Sequence, residues 1–189
     1  MKKKEIRKVF KAKRDAVTYA EKQKWDDLLL IQFQTLELPH LDQVLSFYPM
    51  EERNEVNTFL MTDYLHFRNP GLQISYPKTN AADCSMKAIA CQADSIFEAN
   101  AFNTPEPTDN TEVEPPLLDL IIIPLLAFDE NGYRVGYGKG FYDRFLSRCK
   151  ADCIKVGVSW FPPIAAIEDK DEFDVPLDFC ITPERVYVF

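Results

Sequence analysis

Leu120–Phe145, LIIIPLLAFDENGYRVGYGKGFYDRF, is the stretch around which the rest of the chain is organised. Its opening, Leu120-Ile-Ile-Ile123 with Pro124 behind it, is an unbroken apolar and mostly β-branched run. Such a run predicts a strand covered on both faces, in the middle of a parallel or mixed sheet. Asp129-Glu-Asn-Gly132 carries turn chemistry. Arg134-Val135 then leads into Gly136-Tyr-Gly138-Lys-Gly140, alternate glycines that let backbone N–H groups approach a ligand without a Cβ in the way. From Phe141 onward apolar residues recur at helical spacing. Strand, turn, glycine loop and helix start in this order bring loop amides and a helix N-terminus together as an anion site, with Arg134 and Lys139 adding positive charge. The alternative is a glycine-rich bend that only packs a helix onto a sheet.

The 189 residues, 46% of them hydrophobic, supply enough apolar material for one sizeable core, so residues 1–189 are expected to form a single domain. The longest uncharged apolar stretch, Leu120–Phe128, is too short to span a bilayer, and Met1-Lys-Lys-Lys is not followed by the apolar segment of a signal peptide. A cytoplasmic protein with no membrane partner is the expectation. A net charge of -8 and a pI near 4.9 repel a phosphate backbone, which argues against nucleic acid as a partner. Cys84, Cys91, Cys149, Cys153 and Cys180 include no C-x-x-C pair, and with only His40 and His66 beside them a structural zinc site is not expected. They read as reduced, mostly buried thiols.

Lys2–Arg14 reads as a helix with Ile6, Val9 and Phe10 on one side and Lys3, Arg7, Lys11 and Arg14 along another, the latter a solvated stripe on pattern alone. Thr18-Tyr-Ala-Glu21 is a capping-box pattern, and Trp25, Leu28, Leu29, Ile31, Phe33 and Leu36 then recur as in a core-facing helix until Pro39. Val44–Tyr48 reads as a strand, and Asn54 as the cap of a helix from about Glu55 to Arg68. A strand C-terminus meeting a helix start marks the loop Pro49–Asn54 as a candidate site wall. Gly71–Tyr76, ended by Pro77, and Met86–Ala90 are further strands, as are Ile154–Val158, Phe179–Thr182 and Arg185–Val188. Asn103–Pro116, NTPEPTDNTEVEPP, reads as an exposed loop. Together these elements predict an α/β fold in one domain, a mixed or mostly parallel central sheet with helices on both faces.

The glycine loop fits neither a P-loop, because Gly140 follows Lys139, nor a dinucleotide fingerprint, because its spacing and its distance from the strand are wrong. In full wording, D-L-I-I-I-P-x-x-A-F-D-x-x-G-Y-R-x-G-Y-G-K-G-F-Y-D-R from Asp119 to Arg144 resembles the signature of the 5-formyltetrahydrofolate cyclo-ligase family. Leu125 is a departure, standing where that family has Gly after the Pro. The resemblance implies an ATP site at Arg134, Val135, Gly136, Tyr137, Gly138, Lys139, Gly140, Phe141 and Tyr142, with Arg134 and Lys139 catalytic. It extends that site to Lys3 and Arg7, which keep the family's K-x-x-x-R spacing, Lys2 and Lys4 being alternatives for the lysine. Glu55-Val-Asn-Thr58 is similar to the family's E-V-x-T motif and implies a reduced folate held by Glu55, with Tyr48 and Met50 at the pocket edge. The other reading of Glu55 is a first-turn residue favoured by the helix dipole. Mg²⁺ is implied at Asp143 and at Asp174, where Asp174-Val-Pro-Leu-Asp178 resembles H-D-x-x-L-D with Phe173 in place of His; a plain turn aspartate is the alternative for Asp174.

The activity so implied is the ATP- and Mg²⁺-dependent conversion of 5-formyltetrahydrofolate to 5,10-methenyltetrahydrofolate by a monomer or homodimer. Two other classes share these features: another phosphoryl-transfer enzyme on the same scaffold, and a folate- or nucleotide-binding protein without catalysis.

Overall fold

A computed structural model describes all residues, Met1–Phe189, and the Leu120–Ile123 run forms a mid-sheet strand in it, each of its four residues 0% exposed. The helices are α1 (Lys3–Asp15), α2 (Tyr19–Phe33), α3 (Phe59–Arg68) and α4 (Phe141–Leu146). The strands are β1 (Gln43–Leu45), β2 (Gln73–Asn80), β3 (Ser85–Ala90), β4 (Phe97–Ala99), β5 (Pro105–Pro107), β6 (Glu112–Val113), β7 (Leu120–Ile123), β8 (Ala127–Phe128), β9 (Arg134–Val135), β10 (Ile154–Val158), β11 (Phe179–Ile181) and β12 (Val186–Val188). One sheet runs in the order β12-β11-β10-β7-β1-β2-β3-β6. From β11 to β2 its strands are parallel, and antiparallel β12 on one side and β3 and β6 on the other form the edges. No helix is long and apolar enough to cross a membrane.

Alternation along β7 divides the core in two. Leu120 and Ile122 join Leu29 and Phe33 of α2 and Met61 and Leu65 of α3. Ile121 and Ile123 face the other way, toward Phe145 and Leu146 of α4. Each of these side chains stabilises the fold by about 1.5–3 kcal/mol through burial. A smaller cluster seats Ile6 and Phe10 of α1 on Leu126, Ala127 and Val135. The mostly parallel sheet with helices on both faces is therefore as expected. All five cysteines are free, with Cys153 and Cys180 buried and the others half-buried.

Local chemistry explains where the chain departs from expectation. The Thr18 capping box forms, with Glu21 N–H on Thr18 Oγ1 and Thr18 N–H on the Glu21 carboxylate. That helix stops at Phe33, short of Pro39, where the Thr35 hydroxyl turns onto the Gln32 carbonyl at 2.7 Å. On α1, Val9 is 39% exposed, whereas Arg14, expected in a solvated stripe, is 8% exposed. Asn54 is not the N-cap of an α-helix: it is left-handed (φ 48) and closes a 3₁₀ turn over Glu51–Arg53, and its side-chain amide donates to the Arg14 and Val17 carbonyls at 3.1 Å each. The helix begins only at Phe59, whose N–H is taken by Asn57 Oδ1. Pro77 lies inside β2 rather than ending it. It sits beyond Ser75, the last residue of β2 paired with β1, so its missing N–H costs no bond on that side.

The stretch Asn103–Pro116 is more ordered than an exposed loop. It contributes β5 and β6, and Pro107, Val113 and Pro115 are buried. Glu106 makes the difference: its carboxylate accepts from the Thr79 N–H (2.8 Å), the Thr79 hydroxyl (2.6 Å) and Asn100 Nδ2 (2.6 Å), fastening the β4–β5 hairpin to β2.

Leu125 is accommodated by a glycine on the neighbouring strand. A Cβ at Gly157 would lie 2.7 Å from Leu125 Cδ2 and 2.6 Å from Leu177 Cδ1. Gly157→Ala should therefore cost about 1–3 kcal/mol by overpacking, and less in a Leu125→Ala background. Denaturant unfolding of the single and double variants measures this, and an equal penalty in both backgrounds would contradict the role given to Leu125.

Candidate active site

A cavity of about 1130 Å³ opens at the C-terminal ends of β1 and β7, adjacent parallel strands. Ligands in open α/β sheets gather at such ends, and this volume exceeds the ~300–1,000 Å³ usual for one small molecule. Phe47, Tyr48 and Met50 follow β1 into it, Pro124 follows β7, and the glycine loop with the start of α4 forms the opposite wall. Every residue assigned above to ATP, folate or metal lines this cavity except Val135. Val135 is 1% exposed beneath α1 and offers only its backbone, with its carbonyl accepting from the Leu126 N–H at 2.8 Å.

One pole of the cavity is cationic. Arg7 Nε donates to the Gly136 carbonyl at 2.9 Å and so ties α1 to the glycine loop. Gly138, at φ +91, has a conformation that favours glycine, and a Cβ there would also press on the Arg7 guanidinium, 3.0 Å from Cζ. Arg134 is the most enclosed cation, its side chain 6% exposed, with Nη2 on Asp143 Oδ1 at 2.9 Å and Nη1 on the Val175 carbonyl. Burial pushes the guanidinium below its ordinary value, and the Asp143 carboxylate opposes that shift. Lys3 Nζ sits on both Asp174 oxygens at 2.7 and 2.6 Å. Lys139 is exposed, its ammonium 5.3 Å from the centre of the Phe102 ring.

The two aspartates differ. Asp143 Oδ1 accepts from both Arg134 and the Val175 N–H (3.2 Å), while Oδ2 takes no protein hydrogen bond. Asp174 spends both oxygens on Lys3 and accepts the Asp171 N–H as well. No group of three or more His, Cys, Asp or Glu that could hold a metal ion is present.

The other pole centres on Glu55, which is 4% exposed. It lies four residues before the first residue of α3, so the first-turn reading does not apply. Its Oε2 accepts the Met50 N–H at 3.1 Å, and its Oε1 accepts the Tyr137 hydroxyl. Tyr48 stands edge-on to Phe59 and tilted against Phe97, with ring centres 5.2 and 4.8 Å apart. Tyr142 lines the cavity wall, and its hydroxyl is buried without a protein partner.

Several wall residues escaped the sequence reading. Asn100 and Phe102 come from the turn between β4 and β5, just ahead of the stretch read as a loop, Thr79 from β2 beyond Pro77, and Arg53 from the 3₁₀ turn. Only Arg53, inside the loop marked as a candidate wall, left a signal. Leu125 does not line the cavity; its side chain is 7% exposed and lies in the core.

Fold and site together define an α/β enzyme with one large two-poled cleft. The sequence pattern of the 5-formyltetrahydrofolate cyclo-ligase family matches residues 1–183, so the chain belongs to that family of ligases. The chain is 29% identical over 188 residues to the 5-formyltetrahydrofolate cyclo-ligase of Mycoplasma pneumoniae, a match that covers 97% of this chain and 100% of that protein. It is 38% identical over 73 residues to the 5-formyltetrahydrofolate cyclo-ligase of Mycoplasma genitalium, covering 39% of this chain and 44% of that one. Among solved structures it resembles the 5,10-methenyltetrahydrofolate synthetase of Aquifex aeolicus, with a TM-score of 0.79 at 26% identity over 100% of this chain and 93% of the other.

Burial sets a titration signature in the site and in the core beside it, where Tyr76 packs on Tyr48. Desolvation pushes Tyr76 and Tyr137 up to about 12 and Tyr142 higher still, with the Glu55 carboxylate adding to the last two. These three should stay protonated in the native protein above about pH 10, where an unperturbed phenol ionises. The native state then holds protons that the unfolded chain releases, so stability falls as pH rises from about 10 through 12. Phenolate absorbance in an alkaline titration checks this; ionisation of these three near about pH 10 while the protein is still folded would contradict the desolvation of their hydroxyls, that of Tyr137 being enclosed between Arg14 and Glu55 although the residue as a whole is 42% exposed.

Proposed function

We propose that the chain converts 5-formyltetrahydrofolate to 5,10-methenyltetrahydrofolate with ATP, releasing ADP and phosphate. The observation that carries this reading is the shared cavity: a buried acceptor carboxylate, Glu55, at one pole and a glycine loop with buried and half-buried cations at the other. A carboxylate can accept from two adjacent donors, and the amino group and ring N–H of a pterin supply such a pair. Lys3, Arg7 and Arg134 have the charge to hold a triphosphate, and Lys139 reaches the same space from the loop.

The chemistry asks for positioning more than for a nucleophilic side chain. A formyl oxygen is a poor leaving group. It attacks the γ-phosphorus, ADP departs, and the product is an imidoyl phosphate. N10 then attacks the formyl carbon, the C–O bond breaks, and phosphate leaves carrying the former formyl oxygen while N10 gives up its proton. Glu55 fixes the pterin end, and Arg134, already desolvated and braced by Asp143, offers preorganised positive charge where it develops on the phosphoryl group.

Asp143 would hold Mg²⁺ through its free Oδ2, an oxygen donor of the kind that ion takes alongside phosphate and water. Bound there, the ion supplies charge neutralisation for the triphosphate. Asp174, chelating the Lys3 ammonium, positions that lysine, and a metal role for it requires Lys3 to move away.

The test is incubation with 5-formyltetrahydrofolate, ATP and Mg²⁺, following the methenyl chromophore. Formation that depends on ATP is expected; ATP turnover without the chromophore, or binding without turnover, would replace the proposal with one of the two other classes. Glu55→Gln exchanges an acceptor for a donor in a buried contact and should weaken folate by about tenfold or more, with ATP binding retained. Asp143→Asn should raise the Mg²⁺ requirement and also lower stability by about 3 kcal/mol, because it strips a buried arginine of its counterion. A variant as stable as the parent would deny Asp143 its structural half of this role.

A further inference from the structure

Arg14 sits near the C-terminal end of α1, 8% exposed and without a carboxylate partner. Its Nη2 donates to the Tyr137 hydroxyl at 2.6 Å, and its Nε is buried with no protein partner. Desolvating a guanidinium this way opposes folding, so the arrangement is not explained by stability. It is nevertheless held in place, because Asn54 Nδ2 ties down the Arg14 carbonyl at 3.1 Å.

The direction of the hydrogen bonds beyond Arg14 follows from the groups. A guanidinium has donors only, so the phenol oxygen accepts from it, and the single phenol proton is left to point at Glu55 Oε1. With the Met50 N–H on Oε2, the carboxylate is gripped once on each oxygen. Each oxygen keeps a second lone pair for a ligand. The other cations around it do not do this work: Lys22 Nζ goes to the Glu55 backbone carbonyl and to Asp26, and Arg53 lies over the Tyr137 ring rather than at the carboxylate.

We infer that Arg14 is a positioning and specificity-determining residue for the folate pole, acting through the Tyr137 hydroxyl to hold Glu55 as an oriented pair of acceptors. The inference rests on the reading of Glu55 as the folate contact. It selects a ligand whose edge carries two adjacent N–H donors and disfavours one with an acceptor in either place. It also gives Tyr137, carried on the glycine loop, a part in the folate pole.

Equilibrium binding of 5-formyltetrahydrofolate, without nucleotide, to the full chain and to Arg14→Met, Tyr137→Phe and the double variant tests this, alongside the KM for ATP of each. Arg14→Met is expected to raise the folate Kd about tenfold, Tyr137→Phe to raise it similarly, and the double variant to bind no more weakly than Tyr137→Phe alone. The KM for ATP should not change in Arg14→Met. Additive losses in the double variant, folate binding by Arg14→Met equal to that of the parent, or a parallel rise in its KM for ATP would each overturn the inference. A parent chain that binds no reduced folate would overturn the reading of Glu55 and this inference with it.

Discussion

The constraint on which the structure depends is the two-sided burial of Leu120–Ile123. A strand with no solvent face needs neighbours on both edges and covering layers above and below it, which here are parallel strands and helices. That requirement places β1 and β10 beside it and aligns the ends of β1 and β7, so the chain leaves both strands at one edge of the sheet. Pro124 stops the ladder, and the next residues turn back through β8 and β9 to deliver the glycine loop over that edge. The cleft follows from the strand.

Charge placement then separates the cleft into two poles. A chain with a net charge of -8 gathers Lys3, Arg7 and Arg134 on one side of it and braces two of them with carboxylates of the same wall, Asp174 on Lys3 and Asp143 on Arg134. The cations are thereby pre-positioned in a partly desolvated site, where a charge acts on a bound anion more strongly than it would in water. At the other pole Glu55 is enclosed and already oriented by hydrogen bonds, so little reorganisation is needed to accept donors. The glycine loop contributes to both poles, through its backbone on one side and Tyr137 on the other.

Much of this is legible in the sequence. The β-branched run of β7, the Thr18–Glu21 box and the strand–turn–glycine–helix order are local signals whose physics does not depend on the rest of the fold. What was not legible came from side chains with distant partners. Asn54 looks like a helix cap in sequence, but the Arg14 and Val17 carbonyls, provided by the end of α1, claim its amide. Glu106 looks like a solvated residue in a proline-rich loop until Thr79 and Asn100 are brought to it. Arg14 falls on the same stripe as exposed Lys11, and only the seating of α1 against the glycine loop turns it inward. Pro77 reads as a strand breaker because sequence cannot say which side of β2 lacks a partner.

The central claim is that one cavity holds a reduced folate at Glu55 and a triphosphate at the glycine loop at the same time. Binding of a non-hydrolysable ATP analogue, measured by calorimetry on protein saturated with 5-formyltetrahydrofolate, tests it most directly. The account predicts a ternary complex with one site for each ligand and no competition between them. Mutual displacement of the two ligands, each binding only when the other is absent, would contradict it.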